Sequence, residues 1–379
     1  MREFLDKIGI KTSSNKVDYI FLFVIIILLS IGLLALSSAS SYTALVNQEN
    51  SNYYFVRQLI FAIVGVAAML FVSLVDCKNY EKFGYIIYAI ALGIMLLVFV
   101  PGLGQSVNGA RRWLNLGILS FQPSELMKPA LAIGIATYIS KNITKMNNWQ
   151  GYIIPVLMIA IVCVVMYFQS HLSGALIMVV IGVMVIVVSG VKLSKRLKIA
   201  MALLGVAAIC IFIWAPGGEY RLQRIYGYLN SSEDTTGTNW QPLQSLYAIG
   251  SGGVFGVGLG QSRQKYSWLP ESQNDFVFSI YAEEFGFVGC VVAVLLFTVF
   301  IYRAVLAQTK TKDLFTMLIG VGITAMFAFQ FIMNIAVVTK LIPTTGMPLP
   351  FFSYGGTSLL LNLVSVGMLL NITRNKSMV

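Results

Sequence analysis

The chain has 379 residues, of which 57% are hydrophobic and 11% are charged, and its formal net charge is +11. An apolar fraction this large exceeds what one water-soluble core can bury, so the composition excludes an ordinary soluble globular protein. The single histidine, His171, excludes multi-histidine zinc sites and leaves a Ser/His/Asp triad possible only through that residue; we expect it to be an interfacial polar residue on a short outer loop.

Apolar runs of about 20 residues, the length that crosses roughly 30 Å of hydrocarbon, recur along the whole sequence. The first run is too long to be a cleaved signal peptide. The pattern predicts an all-α polytopic membrane protein with about ten transmembrane helices, near residues 18–40, 55–76, 83–101, 117–139, 151–168, 172–190, 197–215, 277–302, 313–339 and 352–372.

Lysine and arginine are concentrated in every second connecting segment, and short segments of this kind stay on the cytoplasmic side. Both termini are therefore predicted to be cytoplasmic, and the positive charge marks that face instead of a nucleic-acid partner. The predicted organisation is a cytoplasmic N-terminal segment (1–17), a transmembrane domain (18–372) and a cytoplasmic C-terminal tail (373–379).

The longest predicted outer segment is the loop 216–276 between the seventh and eighth spans. Its tryptophans and tyrosines predict a structured cap at the membrane surface, and its stretch QPLQSLYAI predicts a short amphipathic helix. The next stretch, GSGGVFGVGLGQS, contains six glycines. Because glycine allows tight turns and close backbone approach, this stretch is either a phosphate-cradling loop or a turn-rich re-entrant segment.

Several basic residues lie at or near the predicted outer surface, against the usual orientation bias. They are Arg57, Arg111, Arg112, Lys128, Arg221, Arg224, Arg263, Lys265 and Lys340. Near the outer half of the fourth span, Glu125 and Lys128 stand at positions i and i+3. This pair either neutralises itself or faces a polar cavity.

A second charged cluster, Asp275, Glu283 and Glu284, marks the outer start of the eighth span. The two glutamates fall about two to three turns below Asp275, so at least one of them must face protein or water. Asp275 is either a helix cap or part of a site. A surface carboxylate, an arginine-rich rim and deeper ion pairs together describe a cavity suited to an anionic lipid headgroup.

Five stretches carry a resemblance to a known family: GARRWLNLG, FQPSELMK, SLYAIGSGGVFGVGLGQS, LPESQNDFVFSIYAEEFGFVG and PTTGMPLPFFSYGGTS. In this order, and over nearly the entire chain, they resemble the SEDS family of bacterial cell-wall proteins (FtsW, RodA and SpoVE). The stretch GQSRQKYSWLPE is most similar to the FtsW and SpoVE branch. FQSHLSGAL departs from the family, whose members commonly read Q-P-D-x-G-T, so no role is carried onto His171.

The resemblance implies a peptidoglycan glycosyltransferase that polymerises lipid II, an undecaprenyl-diphosphate-linked disaccharide pentapeptide, at the outer face of the bacterial cytoplasmic membrane. It implies a class B penicillin-binding protein and other division or elongation proteins as partners, besides membrane lipids. The family's essential aspartate matches Asp275, which is our predicted catalytic residue. The predicted substrate-binding residues are Arg111, Arg112, Glu125, Lys128, Glu284 and Ser353.

The chemistry of the reaction agrees with this set of residues. The acceptor hydroxyl is a poor nucleophile, so a positioned carboxylate must take its proton, and Asp275 is the candidate base. The leaving diphosphate is already anionic, so Arg112 and Lys128 can stabilise it without a second carboxylic acid. A divalent cation, Mg²⁺ or Mn²⁺, is a plausible cofactor, and no organic cofactor is expected. The alternative interpretation is a transporter that flips lipid II, which inverted repeats would favour.

Overall fold

The computed structural model describes residues 17–107, 110–115, 117, 120–190, 228 and 239–374. Within these ranges it contains ten α-helices and one small sheet. The helices are α1 (Tyr19–Gln48), α2 (Tyr53–Val72), α3 (Cys77–Leu96), α4 (Pro123–Lys141), α5 (Ile153–Phe168), α6 (Leu172–Val188), α7 (Trp240–Ser251), α8 (Val277–Thr309), α9 (Leu314–Val338) and α10 (Gly356–Arg374).

Seven of the described helices are long and apolar enough to cross a membrane: α1, α2, α3, α5, α8, α9 and α10, where α3 and α5 are counted with their adjoining 3-10 turns. The chain is thus an all-α polytopic membrane protein, as predicted. Helices α4 and α6 correspond to the predicted runs 117–139 and 172–190, and α6 is a shorter apolar helix. The predicted span 197–215, residues 216–227 and 229–238 of the predicted outer loop, residues 375–379 of the predicted C-terminal tail and the predicted segment 1–17 except Val17 lie outside the described residues.

Helix α4 forms the centre of the bundle. Nearly every residue from Pro123 to Ile139 is buried, as expected of a helix without a polar face, and α4 packs against α3, α6 and α9. Small residues allow close approach, since a Cβ on Gly322 of α9 would lie 2.6 Å from the Cβ of Ala132. Around this centre α10 packs on α2, and α1 packs on α8.

The segment before α4 differs from the prediction of a span beginning at 117. It contains an antiparallel sheet with strand order β1-β2-β3: β1 (Gly104–Val107), β2 (Ala110–Asn115) and β3 (Ser120–Phe121). Gly117, with φ +81°, donates its N–H to Asn115 Oδ1 and reverses the chain after β2. The helix then begins at Pro123, because proline is well suited to the first helical position.

Helix α8 is interrupted at Gly286, which has φ +66° and ψ −165°, where the apolar run predicted a continuous span. The glycine-rich stretch after α7 packs its backbone against this interruption. Val257 N–H donates to Glu283 O at 3.0 Å, and Phe287 N–H donates to Gly253 O at 2.9 Å. The glycines therefore permit backbone-to-backbone packing, which supports the turn-rich interpretation over the phosphate cradle.

Helix α7 confirms the helix predicted from QPLQSLYAI. Its buried residues face α8 and α9, and Ser245 Oγ hydrogen-bonds Val338 O at 2.6 Å. At the other end of the bundle, predicted cytoplasmic segments contact one another. Arg303 forms an ion pair with Asp18, and Asn371 hydrogen-bonds Ser73 O at 3.0 Å. These contacts agree with the predicted alternation of the helices.

Candidate active site

A cavity of about 350 Å³ opens where the predicted outer ends of the helices meet. Segments far apart in the chain form its wall: α2, the sheet, the start of α4, the link between α5 and α6, the segment before α8, and residues 346–362. Its polar lining includes Arg57, Arg112, Gln122, Glu125, His171, Glu271, Asn274, Asp275, Ser353, Tyr354, Ser358 and Asn362. Phe61, Trp113, Leu349 and Phe351 supply apolar surface beside them.

Asp275 lies in this wall, partly buried. Its carbonyl accepts a hydrogen bond from Asn334 Nδ2 at 2.8 Å, and the same amide donates to Met347 O at 2.9 Å. A Cβ on Gly346 would lie 3.5 Å from Asp275 Oδ2, so the carboxylate sits beside that glycine. The N-cap position of α8 is occupied by Phe276, and the capping interpretation of Asp275 is therefore wrong.

Ser353 connects two parts of the cavity wall. Its hydroxyl donates to Asn274 O at 2.6 Å and accepts from Leu349 N–H at 2.8 Å. Gln58, fully buried in α2, donates to Ser353 O at 3.2 Å and accepts from Gly355 N–H at 3.1 Å. Ser353 thus holds the segment before Asp275 against the loop that precedes α10.

Strand β2 carries both predicted arginines, and only one of them reaches the cavity. Arg112 lines the wall, and its Nη2 donates to Ser170 O at 2.5 Å. Arg111 is exposed and is not part of the wall. A third arginine, Arg57 of α2, lines the cavity and donates to Tyr53 Oη at 3.0 Å.

Glu125 and Lys128 form the expected ion pair, with Lys128 Nζ 2.7 Å from Glu125 Oε1. Both side chains are buried, and the other carboxylate oxygen of Glu125 accepts from Ser358 Oγ at 2.9 Å. Glu125 lines the cavity, whereas Lys128 lies behind it. The pair is therefore both internally neutralised and placed at the wall, so the two interpretations of it are compatible.

The structure places Glu284 away from the cavity. Both Glu283 and Glu284 are buried in protein, in keeping with the expectation for at least one of them. Lys265 Nζ lies 3.5 Å from Glu284 Oε1, which also accepts from Ser38 Oγ at 2.5 Å. Glu283 accepts from Ser262 Oγ at 2.5 Å and from Arg263 N–H at 3.0 Å. These carboxylates anchor the segment 260–265 to α8 and α1.

His171 lies in the cavity wall and is 9% exposed, which corrects the expectation of an interfacial residue. Burial is the main cause that lowers its pKa, to about 3, and the neighbouring charges of Arg112 and Lys128 lower it further. The imidazole is therefore neutral at physiological pH. No functional role for His171 follows from the sequence, although it is a polar residue between two apolar runs.

Other contributors were also missed, notably Gln58 and Asn334. Each is a polar side chain inside an otherwise apolar helix, and each is fully buried. Polar residues at membrane depth are expensive unless they make hydrogen bonds within the protein, so their position in apolar runs was the available signal.

A divalent cation would need oxygen ligands from this cavity. Within the described part of the chain, no three His, Cys, Asp or Glu side chains lie close enough together to hold a metal ion. Mg²⁺ is commonly bound by one or two carboxylates together with substrate phosphates, and Asp275 can supply a carboxylate of that kind.

The chain is similar to known proteins in sequence and in fold. The family model described as "Cell cycle protein", for FtsW, RodA and SpoVE, matches residues 19–378. Stage V sporulation protein E of Bacillus subtilis is 39% identical over 365 residues, covering 96% of this chain and 98% of its own. A probable peptidoglycan glycosyltransferase FtsW of Trichlorobacter lovleyi is 36% identical over 357 residues, covering 94% of this chain and 93% of its own.

Solved structures share the fold. A chain from a peptidoglycan synthase complex aligns with a TM-score of 0.76 and 27% identity, covering 95% of this chain and 98% of its own. The rod shape determining protein RodA of Thermus thermophilus aligns with a TM-score of 0.69 and 26% identity, covering 96% and 98%. Because nearly its whole length matches the family model and these relatives, the chain belongs to the FtsW, RodA and SpoVE family of cell cycle proteins.

Proposed function

We propose that this protein is a peptidoglycan glycosyltransferase that polymerises lipid II into glycan strands. The observation that carries the proposal is the placement of the Asp275 carboxylate in one cavity with two arginines, Arg57 and Arg112. A relative that is 36% identical bears the name of such an enzyme. The cavity combines a base with positive charge and apolar surface, which suits a lipid-linked diphosphate sugar.

In the proposed reaction Asp275 accepts the proton of the acceptor hydroxyl as its oxygen attacks the anomeric carbon of the donor sugar. The bond from that carbon to the diphosphate breaks, and undecaprenyl diphosphate leaves with the electron pair. Arg112 and Arg57 stabilise the charge that develops on the leaving group. The hydrogen bond from Asn334 to the backbone carbonyl of Asp275 keeps the base in place during the step.

Glu125 and Lys128 have a supporting role in this proposal. The pair sits at the start of α4 and is joined to α10 through Ser358, so it holds these two helices together at the cavity wall. Lys128 adds positive potential behind the wall. A divalent cation, where one is used, would be held by Asp275 together with the substrate and would supply further charge neutralisation.

We further propose that the cavity faces the outside of the bacterial cytoplasmic membrane and that both termini are cytoplasmic. The distribution of lysine and arginine supports this orientation. A class B penicillin-binding protein, which would cross-link the product, is the proposed partner. One chain of similar fold comes from a complex described as coordinating polymerization and crosslinking.

Substitution of the proposed base is the direct test. Purified protein with its penicillin-binding partner should polymerise lipid II, and Asp275→Asn should lower the rate by a factor of at least about 10³, because the amide cannot accept the proton. Glu49→Gln removes an exposed carboxylate outside the cavity and serves as the matched control. Polymer length is measured by gel electrophoresis of labelled product.

The outcome also separates the two candidate activities. Full polymerisation by Asp275→Asn would remove the proposed base. If the wild-type protein makes no polymer but moves lipid II across vesicle membranes, the protein is a transporter and the enzymatic proposal fails.

A further inference from the structure

His171 is a cavity residue that the mechanism above does not use. It is the only histidine of the chain. The side chain is nine-tenths buried and lies in the same wall as Asp275 and Arg112. A buried polar group in a ligand cavity needs a hydrogen-bonding partner, so its surroundings are informative.

The backbone around His171 is held from three sides. Gln169 Nε2 donates to Met95 O at 2.9 Å, and Arg112 donates to Ser170 O at 2.5 Å. On the far side the Ser173 hydroxyl donates to Thr345 O. Thr345 precedes the glycine that lies beside the Asp275 carboxylate, so the imidazole is positioned relative to the proposed base.

The orientation of the ring distinguishes its two nitrogens. A Cβ on Gly174 would lie 2.7 Å from both Cε1 and Nδ1, so this edge of the ring packs on the first turn of α6. Nδ1 is buried and has no hydrogen-bond partner among the described residues. The positive end of the α6 helix dipole disfavours a proton on Nδ1. The proton of the neutral ring therefore belongs on Nε2.

We propose that His171 is a further substrate-binding residue, whose Nε2–H donates a hydrogen bond to a phosphate oxygen of the lipid diphosphate. This inference rests on the proposed function, which places a lipid diphosphate in the cavity. A neutral N–H donor beside Arg112 adds a hydrogen bond to the attraction that the guanidinium exerts on the phosphates. The chain would thus recognise the leaving group partly through a neutral side chain beside Arg112.

Binding of undecaprenyl diphosphate to the full-length protein in lipid nanodiscs tests the proposal. His171→Leu removes the donor and should weaken binding about tenfold, since a hydrogen bond to a charged group is lost. His171→Gln places an amide N–H near the position of Nε2 and should restore the affinity to within about threefold of wild type. Undecaprenol, which has no phosphate, is the control ligand and should bind all three proteins equally.

Three results would overturn the proposal: wild-type affinity in His171→Leu, equal weakening for both lipids, or no recovery in His171→Gln. If His171→Leu does not fold, His171→Met takes its place, because it too lacks a donor. The polymerisation assay keeps this inference separate from the proposed function. A wild-type protein that makes no polymer contradicts the enzymatic activity, whereas the binding comparison still decides the role of His171.

Discussion

At the scale of single residues, the position of Asp275 depends on side chains from distant parts of the chain. Asn334 of α9 holds its backbone carbonyl, and Ser353 holds the residue before it. Gln58 of α2 in turn holds the backbone of Ser353. The candidate base is thus placed by a buried hydrogen-bond network, which low local polarity strengthens.

The two neighbouring arginines of β2 offer a matched pair for testing the cavity. We expect Arg112→Ala to lower kcat/KM for lipid II polymerisation by about 100-fold, because a cation that stabilises the leaving diphosphate is lost. Arg111→Ala should change kcat/KM by less than about twofold, since its side chain lies outside the wall. Equal losses in the two variants would contradict this assignment and would point to a general effect of surface charge.

At the scale of elements, the interruption of α8 organises the segment that leads to Asp275. The glycine-rich stretch after α7 hydrogen-bonds across the interruption, and the following segment is tied to α8 by Glu283 and Glu284. The Lys265–Glu284 pair is buried, so each charge depends on the other. Together these contacts fix the chain between α7 and α8 against the bundle.

Gly286 is the residue on which this packing depends most directly. Its φ of +66° and ψ of −165° lie in a region that only glycine adopts readily, and a Cβ there would be 2.3 Å from Gly256 N. Gly286→Ala should therefore lower the free energy of unfolding by at least about 2 kcal/mol. Thermal unfolding of the detergent-solubilised protein measures the change.

Gly93→Ala is the control for this substitution. Gly93 is exposed within α3, and a Cβ there would meet no atom within 4 Å. Alanine is the better helix former, so this variant should be as stable as wild type or slightly more stable. A melting temperature of Gly286→Ala equal to that of Gly93→Ala would show that the interruption tolerates a side chain.

At the scale of the whole molecule, the predicted cytoplasmic segments contact one another at one end of the bundle, and the cavity lies at the other end. Asp18 meets Arg303 at one end, whereas the cavity joins α2, the sheet and the segment before α8 at the other. Helices that pass in alternating directions produce this separation. The cavity is therefore a property of the assembled bundle, since no single element contains it.

Cysteine labelling tests the proposed orientation of the bundle. In a chain whose four native cysteines are replaced by alanine, Asn52→Cys should react with a membrane-impermeant maleimide on intact cells. Lys310→Cys should react only after the membrane is made permeable, because it lies at the predicted cytoplasmic end. Both positions are exposed in the fold, so burial does not limit the reaction. If Lys310→Cys reacted on intact cells and Asn52→Cys only after permeabilisation, the orientation would be the opposite of the one proposed.

The sequence by itself determined the membrane class, nearly all of the described spans and the family, because hydropathy and short motifs are local properties that folding does not alter. It also predicted Asp275, Arg112 and Glu125 as site residues. The local sequence pattern could not show which of several neighbouring charged side chains face the cavity. Arg111 and Glu284 resemble Arg112 and Asp275 in sequence context, yet the fold places them outside the cavity.

Only the tertiary structure decided those placements, and it also brought His171 into the wall and interrupted α8 at Gly286. The physical reason is that each of these placements depends on a partner far away in the chain. Glu284 contacts Lys265 and Ser38, and the backbone on either side of Gly286 hydrogen-bonds residues 253–258 where the helix is interrupted. A buried polar group needs a hydrogen-bond or ion-pair partner, and the packing of the helices determines which residue is close enough to supply it.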